Sequence, residues 1–129
     1  MIHYLEETTA DAGRLTLVLA FNYSSRREIT LGVQDIARRV ANGTLKAEDI
    51  NEQTIAESLM TAQMPDPDMI IRTSGECRLS NFLLWPSSYA ELYFPETLWP
   101  DFTEEEFDKA IEVFSKRDRR YGLVTETKE

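Results

Sequence analysis

The sequence predicts an α/β fold in which a mostly parallel sheet carries helices on both faces. Residues 15–23, LTLVLAFNY, are an almost unbroken apolar run with Val and aromatics, the pattern of a strand buried on both faces. An amphipathic helical pattern follows it directly. Two further short apolar runs, MIIR at 69–72 and ELYF at 91–94, come after helical and turn segments. Strands separated by such segments belong to parallel sheets covered by helices.

Asp11, Ala12 and Gly13 turn the chain into the first run. Ser25 with Glu28 three residues later has the spacing of a capping box. It opens a helix with Ile29, Val33, Ile36, Ala37 and Val40 on one face, stopped by Asn42-Gly43. A shorter helix begins near Asn51 and carries Ile55, Leu59 and Met60, before Pro65-Asp66-Pro67-Asp68 forces an extended or turning backbone. Residues 69–72 then read as a short buried strand. The loop Thr73-Ser74-Gly75-Glu76 follows at its carboxyl end, where open α/β sheets place ligands. Residues 80–85, SNFLLW, fit either a strand or a short helix capped by Ser80 or Asn81; the helix is favoured, ended by Pro86, Ser87 and Ser88. Residues 91–94 form the last strand, and Trp99-Pro100-Asp101-Phe102 is irregular. The final helix opens on a capping box of Thr103 and Glu106, with Phe107, Ala110, Ile111 and Phe114 at helical spacing. Glu104, Glu105 and Glu106 at its start and Lys116, Arg117, Arg119 and Arg120 at its end complement the helix dipole. Gly122 falls where the chain leaves that helix, and residues 125–129 read as a disordered tail.

The chain has 129 residues, 42% hydrophobic and 29% charged, so a largely disordered polypeptide is excluded. Its 14 basic and 23 acidic residues give a net charge of −9, which repels nucleic acid and anionic membrane. An anionic ligand must therefore meet a local basic pocket. One cysteine, Cys77, excludes an intramolecular disulfide framework and a multi-cysteine zinc site, and one histidine, His3, argues against a neutral-ligand metal centre. No apolar run is long enough to span a membrane, and the polar, acidic start is unlike a signal peptide. The expected setting is the cytoplasm, with peripheral membrane contact left open. All five glycines are isolated, so there is no Walker loop.

The densest chemistry lies in residues 72–80, RTSGECRLS, where two guanidiniums, three hydroxyls and a glycine follow a buried strand. Arginine presents a planar fork of donors that matches phosphate oxygens, and hydroxyls add neutral donors. Two readings stand side by side. The loop is an oxyanion site, or it is solvated and its arginines pair with Asp66, Asp68 or Glu76. Glu91 either caps a strand end or holds a divalent cation. Asp66, Asp68 and Asp101 carry less weight, two lying next to prolines and one next to the last helix.

The string PDPDMIIRTSGECRLSNFLLW at 65–85 resembles the signature of the cis-prenyltransferases, typified by undecaprenyl diphosphate synthase. The likeness extends through YAELYF at 89–94, LWPDF at 98–102, Phe21-Asn22-Tyr23 with Arg26 and Glu28-Ile29, and Arg119-Arg120-Tyr121-Gly122. It implies elongation of farnesyl diphosphate with isopentenyl diphosphate units to an undecaprenyl-type diphosphate, with Mg²⁺. It also implies that Arg72, Arg78 and Ser80 grip the isopentenyl diphosphate group and that Glu91 helps hold Mg²⁺. Arg120 and Gly122 would reach toward the site of a second subunit in a homodimer, and Glu76 and Asn22 would line the pocket. Ser24-Ser25 replaces the family's usual glycine pair, and Cys77 stands where many relatives have histidine. The family's Asp-Gly-Asn-Gly-Arg-Trp phosphate loop, with its catalytic aspartate, has no counterpart in the sequence. The expectation is therefore residues 1–129 as the carboxyl-terminal part of one synthase domain, inactive alone, with the allylic site and most of the tunnel elsewhere. Leu15 and Leu17 are candidates for the tunnel floor. Phe94, Leu98 and Trp99 fit either a dimer contact or the core. The alternative function is a non-catalytic partner subunit of a heteromeric enzyme, against which the intact loop at 72–80 speaks.

Overall fold

A computed structural model of the chain describes residues 2–117. Four α-helices, α1 (Ile2–Thr9), α2 (Ser25–Ala41), α3 (Glu52–Glu57) and α4 (Glu104–Ser115), and two strands, β1 (Met69–Ile71) and β2 (Glu91–Tyr93), are joined by three short 3₁₀ turns. The strands pair in parallel, with Met69 beside Glu91, Ile70 beside Leu92 and Ile71 beside Tyr93. A parallel pair needs a crossover, and residues 72–90, which carry the candidate loop, provide it. A parallel sheet together with α-helices matches the expected α/β class.

The helix patterns mark α2, α3 and α4. Among the described residues, Ile36 of α2, Leu59 just after α3, Ile70 of β1 and Ala110 of α4 are buried and apolar. Gly32 sets the spacing of α2 and α3, because a Cβ there would lie 3.0 Å from the Ser58 carbonyl oxygen. Asn51 caps α3 reciprocally with Thr54. Asn42-Gly43 ends α2 as expected, with Gly43 at φ 77° and its N–H on the Val40 carbonyl.

Four expectations are corrected. Residues 15–23 form no strand, and Leu15, Leu17 and Phe21 are 81%, 76% and 75% exposed. A strand needs a lateral partner for its N–H and C=O groups, and the two strands among the described residues pair with each other. Residues 80–85 form no helix: Ser80, Asn81 and Leu83 have φ of 49°, 66° and 47°, and the 3₁₀ turn Pro86–Tyr89 begins where the helix was to end. The box at Ser25 and Glu28 does not cap α2, since the N-cap is Ser24 and both side chains turn inward. Thr103 is the N-cap of α4 as expected, but Glu106 reaches Thr97 and Lys109 instead of closing a box.

The polar, acidic start forms the exposed helix α1. Leu98 and Trp99 are not core, being 57% and 74% exposed. Trp99 stacks on Phe102, with ring centroids 6.3 Å apart. Among the described residues no helix is long and apolar enough to cross a membrane. The expectations for Arg119, Arg120, Gly122 and the 125–129 tail lie outside the described residues.

Candidate functional site

The loop at 72–80 is fastened at its entry to the segment after β2. The Arg72 N–H continues the ladder onto the Tyr93 carbonyl at 2.9 Å. The N–H groups of Ser74 and Gly75 donate to the carbonyls of Thr97 and Pro95, each at 2.8 Å. Both residues have positive φ, 73° and 67°, which turns the chain back; glycine takes that conformation without strain.

The half-buried Arg72 side chain folds over the loop it precedes. Its Nη1 donates to the Arg78 carbonyl at 2.5 Å and to Ser80 Oγ at 2.8 Å. Arg72 thereby meets the Ser80 hydroxyl and the backbone of Arg78. Among the described residues both of these bonds come from Nη1, one of the guanidinium's three nitrogens. The Arg78 guanidinium is 62% exposed and pairs with Glu76, so the solvated reading is realised for that one arginine. Cys77 is exposed beside them, its thiol 3.6 Å from the Gly75 carbonyl.

The exit of the loop is fastened to α2. The Asn81 carbonyl accepts the Ser25 N–H at 2.9 Å, its Oδ1 accepts the Arg26 N–H at 2.8 Å, and its Nδ2 donates to Ser24 Oγ at 3.2 Å. Ser25 Oγ in turn accepts the Leu84 N–H at 2.9 Å. Sequence reading missed this cap in trans. The available signal was Ser80-Asn81 itself, since asparagine is among the few residues that tolerate left-handed backbone.

Behind this junction lies the fully buried Glu28 carboxylate. Tyr23 Oη donates to its Oε1, Ser25 Oγ is 3.4 Å from the same oxygen, and Thr61 Oγ1 is 3.2 Å from Oε2. Burial, followed by the hydrogen bond to Glu28, holds the Tyr23 phenol above its ordinary pKa, which keeps it a donor. Tyr23 also packs edge-on against Phe82, with ring centroids 5.7 Å apart.

Glu91, the expected cation ligand, accepts from Arg117 Nη1 at 2.5 Å. Among the described residues no three His, Cys, Asp or Glu side chains gather into a metal site. Magnesium is commonly held by one or two carboxylates together with phosphate oxygens, and a single carboxylate is what Glu91 offers. Asn22 is exposed at φ 53°, and among the described residues no hydrogen bond ties it to the loop. An apolar groove of about 310 Å³ runs between Val18, Leu19 and Phe21 on one side and Met60, Met64 and Phe82 on the other. Leu15 and Leu17 do not line it.

Comparisons with known proteins agree with this architecture. The family described as undecaprenyl diphosphate synthase matches residues 1–122. An isoprenyl transferase of Thermotoga maritima is 53% identical over 92% of this chain and 50% of its own length. The (2E,6E)-farnesyl-diphosphate-specific ditrans,polycis-undecaprenyl-diphosphate synthase of Vibrio vulnificus is 47% identical over 94% of this chain and 48% of its own. Among solved structures, lavandulyl diphosphate synthase from Lavandula x intermedia, in complex with dimethylallyl diphosphate, superposes with a TM-score of 0.80 at 36% identity. It covers 93% of this chain and 55% of that one. The chain spans about half the length of the curated relatives it matches. With a parallel sheet, an arginine-rich loop beyond its first strand and this match across nearly all of its residues, the chain belongs to the undecaprenyl diphosphate synthase family of isoprenyl transferases.

Proposed function

We propose that this chain supplies the isopentenyl diphosphate site of a cis-prenyl chain-elongating synthase that extends farnesyl diphosphate. The observation that carries the reading is Arg72 reaching Ser80 Oγ at 2.8 Å while its Nη1 also holds the Arg78 backbone. Two guanidiniums and a hydroxyl thus share one short loop, a donor set suited to a diphosphate.

In this reading Arg72 and Arg78 bind the diphosphate and Ser80 adds a neutral donor. Together they hold the isopentenyl alkene against the allylic carbon, where positioning lowers the barrier. The groove beside Phe21, Met60 and Phe82 accommodates an apolar chain. Glu91 would contribute one carboxylate to Mg²⁺, once Arg117 has left it. Bound Mg²⁺ supplies charge neutralisation for the departing diphosphate. A homodimer, a cytoplasmic setting and transient membrane contact through the lipid product belong to the same reading.

The curated relatives are about twice as long, and in this reading the allylic site belongs to the part of their fold that this chain does not match. Residues 1–129 alone are therefore inactive in this reading. Two measurements test it. Isothermal titration of isopentenyl diphosphate should give a saturable heat whose affinity Arg72→Ala lowers. Incorporation of radiolabelled isopentenyl diphosphate with farnesyl diphosphate and Mg²⁺ should show no turnover. Absence of the first, or turnover in the second, overturns the corresponding half of the proposal.

A further inference from the structure

Three non-glycine residues within four positions, Ser80, Asn81 and Leu83, hold positive φ. Such conformations are disfavoured for residues with a Cβ and persist where the surroundings enforce them. The surroundings here are the amino terminus of α2. Its first N–H groups have no partner within the helix, and its N-cap, Ser24, makes no side-chain capping bond. Asn81 takes over that task, accepting from Ser25 N at 2.9 Å with its carbonyl and from Arg26 N at 2.8 Å with its side chain. The residue just before it is Ser80, whose hydroxyl meets Arg72.

We propose that Asn81 is a positioning residue for the diphosphate loop: by capping α2 it holds Ser80 in the left-handed conformation that carries its hydroxyl to Arg72. The inference rests on the reading of Arg72, Arg78 and Ser80 as diphosphate ligands. Asn81 itself does not touch the ligand, because its Oδ1 and Nδ2 are committed to Arg26 and Ser24. The loop is thus held at both ends, by Thr97 and Pro95 at its entry and by α2 at its exit.

The test is titration of the 129-residue chain with isopentenyl diphosphate, with a thermal melt of each variant alongside. Asn81→Gly permits the positive φ without strain and so removes the side-chain cap while preserving the fold. It should raise the dissociation constant about fivefold, the equivalent of one lost side-chain hydrogen bond. Asn81→Asp keeps the acceptor and should restore affinity to within about twofold of the unsubstituted chain. In a Ser80→Ala background, Asn81→Gly should add less than about twofold, since its effect passes through Ser80. A lower melting temperature for Asn81→Gly with unchanged affinity would assign Asn81 to stability alone and overturn the inference. If Arg72→Ala weakens binding while Asn81→Gly leaves it intact, the inference falls and the site reading stands. If the unsubstituted chain does not bind, or Arg72→Ala binds normally, both fall.

Discussion

Glu91 and Arg117 form a hydrogen-bonded ion pair, Oε2 to Nη1 2.5 Å, that joins the first residue of β2 to the turn after α4. The carboxylate read as a cation ligand is thus covered by a cation of the chain itself. Partly exposed pairs of this kind are worth about 0.2–1 kcal/mol. Arg117→Ala should therefore lower the Mg²⁺ concentration needed to enhance inorganic pyrophosphate binding by up to about fivefold. Glu91→Gln should remove the Mg²⁺ enhancement altogether. Titrations at several Mg²⁺ concentrations read both, and an unchanged Mg²⁺ dependence in Glu91→Gln would remove Glu91 from the cation site.

Arg72→Ala should weaken isopentenyl diphosphate binding by about 1.5–3 kcal/mol, the worth of a charge-assisted hydrogen bond. Arg72→Lys should recover little, because an ammonium cannot span the Arg78 carbonyl and Ser80 Oγ and still present a planar fork to the ligand. Calorimetry on the three proteins decides the point. Full recovery by lysine would mean that charge alone matters.

Glu28→Ala should destabilise the fold by about 1–3 kcal/mol, because the hydroxyls of Tyr23, Ser25 and Thr61 would lose their buried acceptor. Glu28→Gln keeps an acceptor oxygen and should cost less. Denaturant midpoints measure the difference.

The raised Tyr23 pKa has a definite sign. A group whose folded pKa lies above its unfolded value contributes stability that is complete below the unfolded pKa and is lost as pH rises through the folded one. For Tyr23 that window begins near its ordinary value of 10.0 and extends upward. Melting temperatures should fall across this range, and Tyr23→Phe should flatten the fall while lowering stability at neutral pH.

Gly32→Leu should destabilise by about 1–3 kcal/mol, because even a Cβ at this position would lie 3.0 Å from the Ser58 carbonyl oxygen and 3.4 Å from a Leu59 methyl. Urea unfolding is the measurement, and an unchanged midpoint would show that α2 and α3 separate without cost.

The helical periods marked α2, α3 and α4, and the short apolar runs marked β1 and β2, because such periods record which face of a segment can be buried. The string at 65–85 was enough to identify the family and to single out Arg72, Arg78 and Ser80. What could not be read there depends on partners distant in the chain. Ser25 and Glu28 have the spacing of a helix cap, yet their side chains face Leu84, Tyr23 and Thr61, while the cap comes from Asn81, 55 residues away from Arg26. Residues 80–85 look helical by composition and are held out of the helical region by that same contact. Residues 15–20 have the composition of a buried strand, but composition provides no lateral hydrogen-bond partner, and among the described residues none pairs with them. Sequence alone determined the elements whose stability is local and the loop chemistry. The tertiary structure decided how the loop is fastened, because a hydrogen bond between distant residues leaves no periodic trace in the chain.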